Sequence, residues 1–106
     1  MRNLSGRLDL CAINTATLGY RTGIDETIDA VARAGFGAIC PWRREMAGED
    51  VAAVARRIRD AGLAVSGYCR STYLPSVDRA GFEAAVEDNR RAVDEAATLG
   101  AACFVM

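Results

Sequence analysis

Three times this chain closes an alanine-rich helical stretch with a glycine and runs at once into an apolar strand. The passages are Ala34-Gly35-Phe36-Gly37-Ala38-Ile39-Cys40, Ala61-Gly62-Leu63-Ala64-Val65-Ser66-Gly67 and Leu99-Gly100-Ala101-Ala102-Cys103-Phe104-Val105-Met106. Glycine has no Cβ to clash in the left-handed conformation that ends a helix. An apolar strand directly behind it is the αβ half of a βαβ unit. The glycines lie 27 and 38 residues apart, room for one strand and one helix per repeat. The expectation is a parallel α/β repeat that runs out inside a strand.

Composition narrows the function classes. With 106 residues, the chain holds one domain, spanning 1–106. A 51% apolar and 25% charged composition is that of an ordinary globular protein. The net charge of −1 supplies no general attraction to nucleic acid or anionic membrane. All 13 basic residues are arginine, so no Schiff-base lysine exists within the chain. It has no histidine, the commonest general base and metal ligand. No apolar run approaches the roughly 20 residues of a membrane span. The N-terminus lacks the apolar core of a secretory signal, so a cytoplasmic location is expected.

Periodicity predicts strands over 8–14, 36–42, 63–69 and 102–106. Helices are predicted over 24–34, 49–61 and 79–99, the last capped by Asp78. Ile24, Ile28, Val31 and Ala32 mark the apolar stripe of the first helix. Val51, Val54, Ala55 and Ile58 mark that of the second, and Phe82, Ala85, Val86, Asn89, Val93, Ala96 and Ala97 that of the third. Pro41 cannot donate to a ladder and belongs near a strand end. The four cysteines, Cys11, Cys40, Cys69 and Cys103, fall one per strand. Metal sites of four thiolates use ligand pairs two to four residues apart, whereas the closest spacing here is 29. The expectation is four free thiols acting as small buried residues, with no metal bound by the chain.

Two architectures use such a repeat: an open doubly wound sheet and a closed eightfold barrel. Doubly wound nucleotide binders place a glycine-rich turn behind the first strand. Here that position reads Asn14-Thr15-Ala16-Thr17-Leu18, and the Gly-x-Gly at 35–37 lies before a strand, where it stops a helix. Ligands of parallel α/β folds bind at the carboxyl ends of the strands. Those ends read Asn14-Thr15, Trp42-Arg43-Arg44 and Cys69-Arg70-Ser71-Thr72-Tyr73. They offer an amide, hydroxyls, an indole face and several guanidiniums, a set suited to a polyhydroxylated and potentially anionic small molecule. Each also has a packing alternative: Trp42 as a cover for the barrel mouth, Arg43 and Arg44 as solvated charges, Asn14 as a turn cap.

The stretches Leu10-Cys11-Ala12-Ile13-Asn14-Thr15-Ala16-Thr17, Gly37-Ala38-Ile39-Cys40-Pro41-Trp42-Arg43 and Val65-Ser66-Gly67-Tyr68-Cys69-Arg70 resemble the opening strands of xylose-isomerase-like barrel proteins. That group includes sugar and sugar-phosphate isomerases and epimerases, inosose-processing enzymes and endonuclease IV. The resemblance implies an α/β fold made of the first three and a half βα units, roughly, of a TIM barrel. It implies metal-assisted proton transfer beside a carbonyl in a sugar, sugar phosphate or cyclitol, with a divalent Mn, Mg, Zn or Co. The family's metal ligands come from later strands, and none maps onto a residue here. Nor do the carboxylates of this chain pair at adjacent strand ends, most of them falling on helices. Expected substrate-side residues are Asn14, Trp42, Arg43 and Arg70, with no catalytic base.

A complete barrel takes about 250 residues. The leading expectation is therefore the N-terminal part of a sugar isomerase or epimerase, inactive alone. The second is a non-catalytic half-barrel that self-associates through its open strand edges. A third, a DNA-repair relative of endonuclease IV, is disfavoured by the net charge, which gives little phosphate attraction.

Overall fold

Each of the three repeat glycines closes its helix in the same way. Helix α1 is Ile24–Arg33, α2 is Val51–Asp60 and α3 is Arg79–Leu99. Gly35, Gly62 and Gly100 take φ of 89°, 78° and 67°. The residue after each donates its N–H five residues back: Phe36 to Val31, Leu63 to Ile58 and Ala101 to Ala96, at 3.0–3.3 Å. This closure satisfies carbonyls that the helix end would leave bare. The helix starts are capped by acids where the sequence has them. Asp50 accepts from the N–H groups of Ala52 and Ala53, and Asp78 accepts from Gly81 at 2.8 Å. The Asp50 cap explains why α2 begins at Val51 rather than 49.

The computed structural model describes residues 1–106. Its strands are parallel and shorter than the sequence pattern predicts. They are β1 Ala12–Asn14, β2 Ala38–Cys40, β3 Ala64–Val65, β4 Tyr68–Cys69 and β5 Phe104–Val105. β1, β2 and β3 form one sheet, with Ile13, Ile39 and Val65 in register across it. β4 pairs with β5 and touches the first sheet through a bridge from Trp42 to Cys69.

The segment predicted as one strand over 63–69 is thus two, and the registers show why. From Ile39 to Trp42 is three steps, whereas from Val65 to Cys69 on the partner strand is four. One extra residue at Ser66-Gly67 makes a β-bulge, which resets the alternation of side chains. Val65 and Tyr68 then both face the helices, 8% and 0% exposed, although they are three residues apart. Cys69 turns to the other face, beside Cys40.

The segment 8–14 is corrected as well. Continued alternation would place Asp9 on the same face as Ile13, under the helices, where a carboxylate is costly. Leu8–Leu10 instead form a 3-10 turn, and Asp9 pairs with Arg7 at the surface. The turn wraps Gly37, whose N–H donates to the carbonyls of Leu8 and Cys11.

All three helices pack on one face of the strands. Ile24, Ile28 and Val31 of α1, Val54 and Ile58 of α2, and Ala96 and Leu99 of α3 share one core with Ile39, Val65 and Tyr68. A doubly wound sheet carries helices on both faces, so the one-sided layer identifies a barrel segment. α3 presents Ala85, Asn89, Ala92, Ala96 and Leu99 to the core. Phe82 and Val93, expected on that face, are 47% and 52% exposed. The small residues let α3 approach closely, which rotates its bulkier side chains past the edge of β5. The layer stays open. Its radius of gyration is 15.1 Å, against about 13 Å for a compact chain of this length. Its accessible surface is 6660 Å², against about 5700 Å² for a compact monomer of this mass.

The Gly37 contact is testable. A Cβ there would lie 1.9 Å from the Asp9 carbonyl oxygen, a backbone atom that cannot swing away. Gly37→Ala should cost about 2–3 kcal/mol in urea unfolding. An unchanged midpoint would mean that the turn does not hold Gly37 as described.

Candidate functional site

Pro41 ends β2, and the chain then turns through a 3-10 segment, Arg43–Met46. Glu45 stabilises this turn from within. Its carboxylate accepts from the Trp42 backbone N–H at 2.8 Å and from the hydroxyl of buried Thr15. The β1 end is fastened to the β2 end by a second bond. Asn14 caps the turn Thr15–Leu18 by accepting from Ala16 N–H, and the same Oδ1 accepts from Trp42 Nε1 at 2.7 Å. Two expected site residues therefore meet, and the capping role foreseen as an alternative for Asn14 coexists with its contact to the indole.

The third strand end completes a row of rings and cations. Tyr20, at φ 54°, sets its ring edge-on to Trp42 with centroids 6.3 Å apart. The Arg44 guanidinium lies 4.0 Å above the Tyr20 ring. Arg70, following β4, lies 4.5 Å from the Tyr73 centroid and 5.9 Å from Trp42. The peptide between Cys69 and Arg70 is cis. A cleft of about 390 Å³ opens among Arg43, Arg44, Met46, Ala47, Arg70 and Glu95.

Arg43 lines the cleft but spends its donors elsewhere. It forks onto Asp88 through both Nη atoms, at 2.5 and 3.0 Å, and reaches Glu95 through Nε at 2.9 Å and Nη2 at 3.3 Å. Tyr68 donates its hydroxyl to Glu95 at 2.7 Å, and Thr72 donates its own to Asp88. Asn89 clasps the backbone of Thr72 from both sides. The hydrogen bond from Arg43, helped by that from Thr72, holds Asp88 well below the usual carboxylate range. Burial opposes ionisation of Glu95, but the bonds from Arg43 and Tyr68 outweigh it and lower its pKa too. Burial, followed by the bond to Glu95, pushes the Tyr68 phenol up. Arg43 is therefore a clamp between the β2 end and α3. Its free-fork geometry for a ligand is already used.

Asp88, Glu95 and Tyr68 escape sequence reasoning, and Thr72 enters it only as one hydroxyl of the third strand end. The seven-residue spacing of the two acids on α3 marks a shared helix face, but nothing local says that an arginine 45 residues earlier meets it. The cysteines divide. Cys69 is buried and Cys40 half-buried, as expected of small packing residues, whereas Cys103 is exposed. Cys40 Sγ and Cys69 Sγ lie 3.7 Å apart. Burial, then the contact with Cys69, pushes the Cys40 thiol up to about 12. Gly67 leaves the space these sulfurs need, since a Cβ there would lie 3.4 Å from Cys40 Sγ and 3.2 Å from Cys103 Sγ.

The residues present do not fit a divalent cation of the kind the resemblance implies. No three side chains of the metal-binding types converge. Glu95, the acid that lines the cleft, is already paired with Arg43, whose charge would repel a cation there. No helix is long and apolar enough to cross a membrane.

The model of the family described as Xylose isomerase-like TIM barrel matches residues 28–106. Among solved structures, protein SMc04130 from Sinorhizobium meliloti 1021 is 40% identical, with a TM-score of 0.85 over 93% of this chain and 36% of its own. D-psicose 3-epimerase, solved in the presence of D-fructose, is 19% identical, with a TM-score of 0.68 over 88% of this chain and 35% of its own. A xylose isomerase-like TIM barrel/4-hydroxyphenylpyruvate dioxygenase fusion protein is 18% identical, with a TM-score of 0.72 over 89% of this chain and 15% of its own. The chain thus spans about a third of the length of the first of these, and the last two share its fold. No curated protein matches it.

The clamp predicts an acid limb in stability. Both carboxylates have lowered folded-state pKa values, so the unfolded chain binds more protons and stability is lost as pH is lowered. The contribution is full above about pH 5 and drains as pH drops through the folded values. With the pair side chains only 21–27% exposed, Arg43→Met should cost about 1–3 kcal/mol at neutral pH. It should also flatten the dependence between about pH 5 and 2. Urea titrations across that range check both.

Proposed function

This chain belongs to the xylose isomerase-like TIM barrel family, and on that premise we propose that it forms the opening part of a sugar or sugar-phosphate isomerase or epimerase. Its strand ends would supply the substrate-side wall. The observation that carries the reading is the assembly of Asn14, Trp42 and Arg70 at the carboxyl ends of β1, β2 and β4, where barrel enzymes bind their substrates. The indole is held through its N–H to Asn14, and an indole can meet the apolar face of a sugar ring. Arg70 adds in-plane donors for hydroxyl or anionic oxygens. Arg43 positions this wall by fixing the β2 end to α3. Proton transfer and the divalent metal belong, in this reading, to residues outside the chain.

Trp42 is the only tryptophan, which makes binding directly observable. Sugars or sugar phosphates seated on the indole should change its fluorescence saturably, and a flat response to sugar, sugar phosphate and cyclitol alike would remove the reading. In a protein carrying the complete barrel, Trp42→Ala and Arg70→Ala should each lower kcat/KM by tens of fold, about 2 kcal/mol, with metal content unchanged.

A second reading is a half-barrel that assembles with a copy of itself. It is supported by an apolar groove of about 540 Å³ beside β5, lined by Leu74, Val86, Val93, Phe104 and Met106. Sedimentation at micromolar concentration should show dimers or larger species that Val93→Arg converts to monomer. A wild-type chain that sediments as a compact monomer would end this reading.

A further inference from the structure

Charge in the strand-end cleft is unevenly satisfied. Arg43 meets two carboxylates, Asp88 and Glu95, and Asp88 also pairs with Arg91, so these charges balance among themselves. Arg44 and Arg70, which line the same cleft, have no acidic partner within ion-pair distance. Each lies against aromatic rings instead: Arg44 on Tyr20, Arg70 between Tyr73 and Trp42. This arrangement positions a guanidinium without using its donors. A cation held against a ring is attracted by the ring quadrupole and keeps its N–H groups for another acceptor. Two such groups lining one cleft offer donors for planar or tetrahedral oxyanions.

We infer that the cleft selects a sugar carrying an anionic group, a phosphate or a carboxylate, gripped by Arg44 and Arg70 while the ring rests toward Trp42 and Asn14. The inference rests on the sugar reading above and narrows it. A neutral sugar would leave both guanidiniums without a counter-charge, whereas an anionic one supplies it. Glu45, beside Tyr20 and Arg44, is turned inward to Trp42 N–H and Thr15, and Glu95, which lines the cleft, is held by Arg43 and Tyr68. Arg44 stands in the strand-end pattern at the end of β2 but is not among the expected substrate-side residues.

The test is a calorimetric and Trp42-fluorescence titration of the chain with four probes: fructose, fructose 6-phosphate, gluconate and inorganic phosphate. At low salt, at least one anionic sugar should bind about tenfold or more tightly than fructose. That gap should shrink at about 0.5 M salt, where exposed charges are screened. Fructose 6-phosphate against gluconate distinguishes phosphate from carboxylate. Arg44→Gln and Arg70→Gln should each narrow the gap by about tenfold, because each loses more affinity for the anionic sugar than for fructose. Arg70→Lys, which keeps the charge but loses the planar fork, should fall between. Equal binding of fructose and both anionic sugars would overturn the inference and leave the sugar reading intact. So would equal losses for neutral and anionic probes in the variants, because the guanidiniums would then be packing groups. Inorganic phosphate binding as tightly as fructose 6-phosphate would keep the anion grip and remove the sugar. No binding by any probe would remove both.

Discussion

The contact between Arg43 and α3 reaches further through the molecule than any other. One guanidinium, leaving the carboxyl end of β2, holds Asp88 and Glu95 two helical turns apart. Those acids in turn receive the hydroxyls of Thr72 and Tyr68, so the β2 end, the β4 end and the longest helix are tied at one point. Charge-assisted bonds in a partly shielded setting are worth more than surface ion pairs. Removing one partner would leave two carboxylates facing each other. The cleft exists because this clamp fixes its back wall, and its charge selectivity exists because the clamp uses up one arginine and two acids.

The one-residue bulge at Ser66-Gly67 is the second constraint. Without it, Val65 and Tyr68 could not both enter the helix-facing layer, and Tyr68 could not deliver its hydroxyl to Glu95. Glycine at 67 eases the bulge, because a Cβ there would press on the Cys103 sulfur at 3.2 Å and touch that of Cys40 at 3.4 Å. Small thiols on the face away from the helices and a bare glycine are one packing solution. The burial expected of all four cysteines holds for Cys69, holds in part for Cys11 and Cys40, and fails for Cys103, which is exposed.

Openness follows from the same geometry. Helices cover one face of the strands, while the other carries small or half-exposed residues and the β5 side presents Phe104, Val93 and Met106. A closed barrel would bury such surfaces against further βα units. The matched solved structures, of which this chain spans about a third or less, are long enough to supply them.

By itself, the sequence determined the elements and their order. Helix-stop glycines, acid caps and 3.6-residue periodicity act over a few residues, and α3 runs from Arg79 to Leu99 behind its Asp78 cap as the pattern requires. Strand-end positions also follow from chain order, which is why Asn14, Trp42 and Arg70 were legible as neighbours. Tertiary structure decided what chain order cannot encode. It split one strand with a bulge, folded Leu8–Leu10 away from a layer that Asp9 could not enter, and turned α3 so that its alanines face inward. Above all, it chose among three arginines at the strand ends. Arg43 went to two acids that are distant in sequence, and Arg44 and Arg70 were stacked on rings with their donors free. Local propensities fix where a residue sits along the chain. Which charge a guanidinium meets depends on packing across 45 and 52 residues of sequence.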